Sequence, residues 1–312
     1  MKIGIDAMGG DFAPQAIVAG AVVSARELPK DAEIVLIGKH DVIAALLSEN
    51  DHSGSNIKII HADEVIEMDE HPVKALSKKP NSSIAVGFKL LKDKSLDVFC
   101  GAGNTGAMHV GALFSIKAIE GVMRPAIAGV LPQRNGGYTT VIDIGANADC
   151  KPEQLEQFGL IGSIFVQHTF NIKSPRVALL NIGEEEQKGS LVAQAAHQLL
   201  KNNTRINFVG NVEGKDILSN KADVIVTDGF NGNIVFKMAE SIYDLAIERG
   251  IDDEIMNSMN YETVGGSPIL GVNGNVMIAH GISSPTAIKN MIGWAYKQVN
   301  AAVYTQIIKS LS

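Results

Sequence analysis

The stretch from Leu96 to Gly111, LDVFCGAGNTGAMHVG, holds the residue pattern with the plainest chemical use. A short apolar run, Val98 to Cys100, ends in Gly101-Ala102-Gly103-Asn104-Thr105-Gly106, and a helix-compatible segment follows directly. Strand, glycine turn and helix N-terminus together make an anion site, because glycine lets the backbone approach a ligand and unpaired N–H groups point at it. Phosphate is the expected ligand, held at Gly103, Asn104, Thr105 and Gly106. The spelling also satisfies G-x-G-x-x-G, the dinucleotide fingerprint, which needs an acidic residue about 20 positions on for a ribose hydroxyl. Glu120 is near that spacing but falls at the end of the following helix, ahead of the apolar run Ala126 to Leu131. A phosphate cradle therefore fits better than a dinucleotide site, and a tight turn with no ligand is the plainer alternative.

Other turns carry candidate groups. Lys188, in Gly183-Glu184-Glu185-Glu186-Gln187-Lys188-Gly189, follows an apolar strand and precedes a helix, so it can bring a positive charge beside helix N–H dipoles. The alternative is a surface lysine paired with Glu184 or Glu185. Asn233 closes Asp228-Gly229-Phe230-Asn231-Gly232-Asn233 at another helix start, where an amide either caps the helix or donates to a developing oxyanion. Asp6, Gly9, Gly10 and Asp11 form a turn of two glycines beside two carboxylates, and Asp143, Asn147 and Asn181 stand at strand ends. His61 and His280 do as well, each as a site residue or a hydrogen-bonded structural histidine.

Several chemistries are not spelled. The order of lysine and glycine in GEEEQKGS is reversed from a P-loop, G-x-S-x-G is missing, and the eight histidines show no H-E-x-x-H. No metal and no cofactor is expected.

The elements that must position these groups alternate strand and helix. Strands are expected at Lys2 to Asp6, Ala32 to Gly38, Ile57 to His61, Val98 to Cys100, Ala126 to Leu131, Tyr138 to Ile144, Arg176 to Asn181, Ile206 to Val209, Ala222 to Thr227 and Val276 to His280. Helices are expected from Pro14 to Glu27, Asp41 to Leu47, 84 to 92, Pro152 to Thr169, Ser190 to Lys201, Ile234 to Glu248 and from Ser284 onward. Lys74 to Ser83, with Lys74, Lys78 and Lys79, reads as a polar loop, either solvated or facing an anion. Asn135-Gly136 between two strand-like runs signals a hairpin, so the sheet is mixed. The expected class is α/β, a three-layer Rossmann-like mixed sheet, as one catalytic unit over 1–312 or two lobes sharing a cleft. Ligands of such sheets bind outside the carboxyl ends of the strands, where these candidate turns lie, and that convergence argues for an enzyme.

Composition narrows the setting. A net charge of −7 and 46% hydrophobic residues describe a globular chain without the basic footprint of a nucleic-acid binder. Two cysteines supply no disulfide framework, and the opening MKIGIDAMGGD has carboxylates where a signal peptide needs an apolar core, so a cytoplasmic protein is expected. The apolar run Phe158 to Phe170 is too short to span a bilayer.

The blocks GIDAMGGDFAPQAIVAG, HADEVIEM, KKPNSS, GAGNTGA, RPAIAGVLP, DIGANAD, SPRVALLNIGEEEQKG, FVGNVEG, ADVIVTDGFNGN and AHG resemble, in order and over nearly the whole chain, the PlsX family of bacterial phosphate acyltransferases. The resemblance implies transfer of a long-chain fatty acyl group from acyl carrier protein to inorganic phosphate, giving acyl phosphate for a membrane glycerol-phosphate acyltransferase of phospholipid synthesis. It implies a homodimer with a fold like the isocitrate and isopropylmalate dehydrogenases and the phosphotransacetylases. Lys188 matches the family's catalytic lysine in E-x-x-K-G, and Asn233 the asparagine of TDGF-x-GN. Phosphate is then its own nucleophile, which accounts for the missing serine, cysteine and metal motifs. Acyl carrier protein is acidic, so Lys78, Lys79 and Arg124 are candidates for its docking face. Many relatives carry a long apolar segment that docks on the inner membrane face. Here Ser241 to Val264 fills that interval with Glu248, Asp252, Asp253 and Glu254, which argues against an interfacial helix. The competing readings are an ATP-dependent kinase of the acetate or sugar kinase type, a nicotinamide dehydrogenase, and a non-catalytic scaffold for the carrier protein.

Overall fold

The computed structural model describes residues 1–51 and 54–311. Its strands, in chain order, are β1 (Lys2–Asp6), β2 (Glu33–Gly38), β3 (Ile57–His61), β4 (Val98–Gly101), β5 (Ala126–Pro132), β6 (Tyr138–Ile142), β7 (Arg176–Leu180), β8 (Asn207–Val212), β9 (Val224–Val226), β10 (Ser267–Leu270) and β11 (Asn275–Ile278). The helices are α1 (Gln15–Glu27), α2 (His40–Glu49), α3 (Pro72–Lys78), α4 (Ser83–Lys92), α5 (Thr105–Gly111), α6 (Pro152–Phe170), α7 (Leu191–Asn202), α8 (Gly229–Glu248), α9 (Glu254–Asn257), α10 (Tyr261–Val264), α11 (Pro285–Asn300) and α12 (Val303–Leu311). They form two compact units, Met1–Ala118 with Tyr261–Asn300, and Ile119–Asn260 with Ala301–Ser312.

In the first unit the strands run in the order β3-β2-β1-β4-β11-β10. All pair parallel except the β10–β11 hairpin. Alternation sends Ile3, Ile5, Val98 and Cys100 to one face, where they meet Ile17, Val18 and Ala21 of α1 and Ile288, Met291 and Ile292 of α11. Phe99 points to the opposite face and meets Phe88 of α4 edge to face, with ring centroids 5.0 Å apart. Both faces are covered, which is why β1 and β4 read as apolar runs.

The second unit has the order β5-β6-β9-β7-β8, with β5 and β6 as the expected antiparallel hairpin and the rest parallel. Val141, Ala178 and Ile225 face α8 and join Ala239, Val235 and Phe236. Their neighbours along each strand face α6, which buries Phe158, Ile161 and Phe165. Pro152 starts α6 and Asn171, in the left-handed conformation at φ 59°, ends it. The expected α/β class with mixed sheets between helical layers is the observed one.

Four local expectations need correction. The first half of the polar stretch 74–83 belongs to α3, because Pro72 starts a helix that runs to Lys78, and Ala75 gives it a buried anchor. The dipeptides Asp228-Gly229 and Asn231-Gly232 are not turns: α8 begins at Gly229, five residues early. β10 was hidden among glycines. The last helical stretch breaks at Ala302, at φ 50°, and resumes as α12.

One ion pair ties β7 to β9. The backbone N–H and Nε of Arg176 donate to Asp223 Oδ2 at 2.7 and 3.0 Å, and Nη2 donates to Oδ1 at 2.8 Å. Burial alone would raise the Asp223 carboxyl, but the guanidinium and the backbone donor outweigh it and hold it below the ordinary value of 3.8. Folded-state stability from this group is therefore fully present above pH 3.8 and fades as pH falls through its lower folded value. Asp223→Asn is expected to cost about 1–3 kcal/mol at neutral pH. The gap to wild type in denaturant unfolding should close below that window.

Candidate functional site

In the second unit, β6, β9 and β7 are neighbouring parallel strands in register, with Ile142 opposite Val226 and Val226 opposite Leu179. Their carboxyl ends therefore share one edge, about 4.8 Å apart from strand to strand. The chain leaves β6 into the Asp143–Asn147 turn, β9 into Asp228 and α8, and β7 into the turn that carries Lys188.

Asp143 is fully buried and organises its own turn. Oδ1 accepts from the N–H groups of Ile127, Gly145 and Ala146 at 3.0–3.1 Å. Oδ2 accepts from the backbone and side-chain amides of Asn147 at 2.7 and 2.8 Å. Asn147 Nδ2 also donates to the Pro125 carbonyl, while its Oδ1 is buried without a partner among the described residues. These two residues build the floor beneath α8 and leave Asp143 no free acceptor of consequence.

The N-terminus of α8 is equally committed. Asp228 caps it, accepting from Asn231 N at 2.8 Å, Gly229 N donates to the Asn147 carbonyl at 2.7 Å, and Gly232 N to the Asp228 carbonyl at 3.0 Å. The cap expected of Asn233 is thus supplied by Asp228. Asn233 sits in the second turn, exposed, with its Oδ1 beside Gly145. Its amide is available for another partner. Phe230 opens an exposed apolar stripe along α8 that continues through Ile234, Met238, Ile242 and Leu245.

A Cβ on Gly232 would strike the carbonyl of Asp143, a backbone atom that cannot swing aside. Gly232→Ala is expected to push α8 off the Asp143 turn, at a cost of about 1–3 kcal/mol. A lowered unfolding midpoint, together with loss of activity larger than that destabilisation explains, is the result to look for.

Lys188 is exposed and has no ion-pair partner among the described residues. The expected alternative of a Glu184 pair is not met, since Glu184 takes Lys221 at 2.8 Å. Lys221 also reaches Asp216 at 2.9 Å, and both contacts push its amine up to about 12. Glu184, Glu213 and Asp216 come close together, but Lys221 and Lys215 neutralise them as an ion-pair network. The Lys188 turn is held from two strand ends. Asn181 Nδ2 donates to the Lys188 carbonyl at 3.1 Å, and Asn211 Nδ2 donates to the Glu185 carbonyl at 2.9 Å, which also receives the Lys188 N–H. Beyond it Ser190 caps α7, accepting from Ala193 N at 3.2 Å.

In the first unit the β1 and β4 turns meet where the chain order reverses, a place ligands favour in open α/β sheets. Much of the sequence pattern there serves packing. A Cβ on Gly9 would lie 2.8 Å from Gly103 Cα, so both glycines are set by backbone contact. Gly10 has φ 115°, and the exposed Asp11 donates its N–H to the Gly281 carbonyl. Asp6 is buried, its Oδ1 accepting from Met8 N at 3.0 Å, and desolvation raises its carboxyl above the ordinary range. Asn104 caps α5 through Oδ1 and donates Nδ2 to the carbonyls of Glu67, Met68 and Glu70. Gly106 packs on Pro72. Thr105, first residue of α5, remains exposed.

His61 stands apart from that reversal, at the end of the edge strand β3, paired with Asp63 at 2.6 Å. Lys79 bonds Glu70 and the Val65 carbonyl, which leaves Lys78 and Arg124 as the exposed cations among the three docking candidates. Burial pushes the Cys150 thiol up to about 12 and raises Cys100 further, so neither is a thiolate at neutral pH. Asn211 and His197 carry no motif in the sequence; their hydrogen bond to each other, and that of Asn211 to the Glu185 carbonyl, join residues 14 and 26 positions apart.

Comparison with known proteins agrees with this architecture. The chain is similar to a phosphotransacetylase from Streptococcus pyogenes, with a TM-score of 0.70 at 18% identity over 96% of this chain and 94% of the other, a likeness of fold. It is 44% identical to a phosphate acyltransferase of Dictyoglomus thermophilum over 100% of this chain and 98% of that one. It is 45% identical to a phosphate acyltransferase of Halothermothrix orenii over 97% and 96% of the two. Residues 1–306 match the family described as fatty acid synthesis protein. With that match and those identities along its whole length, the chain belongs to this family of phosphate acyltransferases and is an acyltransferase enzyme.

Proposed function

We propose that this enzyme transfers a long-chain fatty acyl group from the thioester of acyl carrier protein to inorganic phosphate, forming acyl phosphate for phospholipid synthesis. The observation that carries the reading is Lys188, an exposed cation with no carboxylate partner among the described residues, held in a turn clamped from two strands. A phosphate oxygen attacks the thioester carbonyl to form a tetrahedral oxyanion, collapse of that oxyanion breaks the C–S bond, and the phosphate proton passes to the departing carrier thiolate. Lys188 offsets the charge of the attacking phosphate, and the free Asn233 amide donates to the oxyanion that develops on the carbonyl. Lys78 and Arg124 are suited to the acidic carrier. The names of the relatives are those of acyl transfer, and they lend the kinase alternative no support.

The test is release of free carrier protein from palmitoyl-acyl carrier protein in the presence of phosphate, with hydroxylamine trapping the acyl phosphate. The assay omits ATP, metal and nicotinamide. Trapped product that rises with phosphate supports the reading. Its absence from folded protein refutes it.

A further inference from the structure

The clamp on the Lys188 turn starts from a buried histidine that acyl transfer does not itself require. His197 of α7 is 3% exposed, and its ring stands edge-on to Phe208 with centroids 5.0 Å apart. Its Nδ1 lies 2.8 Å from Asn211 Oδ1. Asn211 Nδ2 is committed to the Glu185 carbonyl, so its oxygen faces the ring and Nδ1 is the donor. The hydrogen bonds then run one way, from His197 to Asn211 to the Glu185 carbonyl, on which the Lys188 N–H also rests at 3.1 Å.

A local irregularity in β8 makes this possible. Val177 pairs with Phe208 and Leu179 with Asn211, so two steps along β7 correspond to three along β8. The extra residue is a bulge, with Gly210 at φ 98°. In a regular strand residues 208 and 211 would face opposite sides of the sheet. With the bulge both meet His197. A Cβ on Gly210 would touch nothing within 4 Å, so glycine is needed there for its backbone angle alone.

We propose that His197 and Asn211, brought to one face by the β8 bulge, are positioning residues that hold the Lys188 turn in its working conformation. The proposal rests on the reading of Lys188 as the catalytic cation. A group that must meet phosphate to within about half an ångström needs support that locks its turn, and no contact of the Lys188 amine supplies it.

The experiment compares Asn211→Ala, His197→Leu and His197→Asn with wild type in the phosphate-dependent assay, and follows hydrogen exchange at the Lys188 amide. Asn211→Ala and His197→Leu are expected to lower kcat about tenfold with smaller changes in KM. The Lys188 amide should exchange faster while those of β7 and β9 do not. His197→Asn, whose Nδ2–H takes the place of the ring Nδ1–H that donates to Asn211, should recover most of the activity lost in His197→Leu. That rescue separates positioning from bulk packing, and the histidine pair carries the test if Asn211→Ala fails to fold. Wild-type kcat in folded Asn211→Ala or His197→Leu, while Lys188→Ala is inactive, would overturn the positioning role and leave the catalytic reading intact. Full activity in Lys188→Ala would overturn both.

Discussion

Lys188→Ala is expected to lower phosphate-dependent acyl transfer about a thousandfold, equal to about 4 kcal/mol of transition-state stabilisation, while the protein unfolds at its wild-type midpoint. The two halves of that expectation have separate structural causes. The amine is exposed and bonds no carboxylate among the described residues, so its loss leaves no buried partner behind. The turn is held through its backbone, by Asn181 on the Lys188 carbonyl and Asn211 on the Glu185 carbonyl, and those bonds survive truncation to alanine. Lys188→Arg should recover little, because a planar guanidinium on a longer stem presents its charge at a different point. The measurement is kcat alongside a thermal or denaturant unfolding curve. A variant that unfolds, or one that turns over normally, contradicts the assignment.

Asn233→Ala should reduce kcat about a hundredfold and change KM for phosphate much less. The helix cap at this position belongs to Asp228, and the N–H groups of Gly229, Asn231 and Gly232 are already taken. Truncating Asn233 therefore costs α8 no capping bond, and its effect should fall on the reaction. An amide that donates to an oxyanion stabilises charge that is present in the transition state and absent from bound substrate. Asn233→Asp should be worse than alanine, since a carboxylate repels the oxyanion. A change confined to KM for phosphate would instead assign Asn233 to ground-state binding.

Most of the strands were legible because their pattern is local. Runs such as Lys2 to Asp6, Ile57 to His61 and Ala126 to Pro132 are apolar and bounded by polar or glycine turns, and strand period depends on nothing farther away. The start of α8 was not legible. Gly229 and Gly232 spell turns by propensity, yet they are helical because the Asp143 turn packs against that helix so closely that only glycine fits. Tertiary contact there overrides a preference worth about 1 kcal/mol per glycine.

By itself the sequence determined the α/β class, the mixed character of the sheet, the hairpin after β5, the family and the identity of Lys188 and Asn233 as the residues to test. These follow from periodicity, turn chemistry and ordered blocks of residues, all of which are written along the chain. Only the tertiary structure decided which polar groups are spent and which are free. Asp143, Asn104 and Asp228, candidates for substrate binding in the sequence, satisfy backbone N–H and carbonyl groups that would otherwise be stranded at strand and helix ends. Asn211 and His197 gave no signal, because their meeting depends on one extra residue in β8. Hydrogen-bond demand is set by neighbours in space, so the commitment of a polar side chain becomes visible only once the fold has brought those neighbours together.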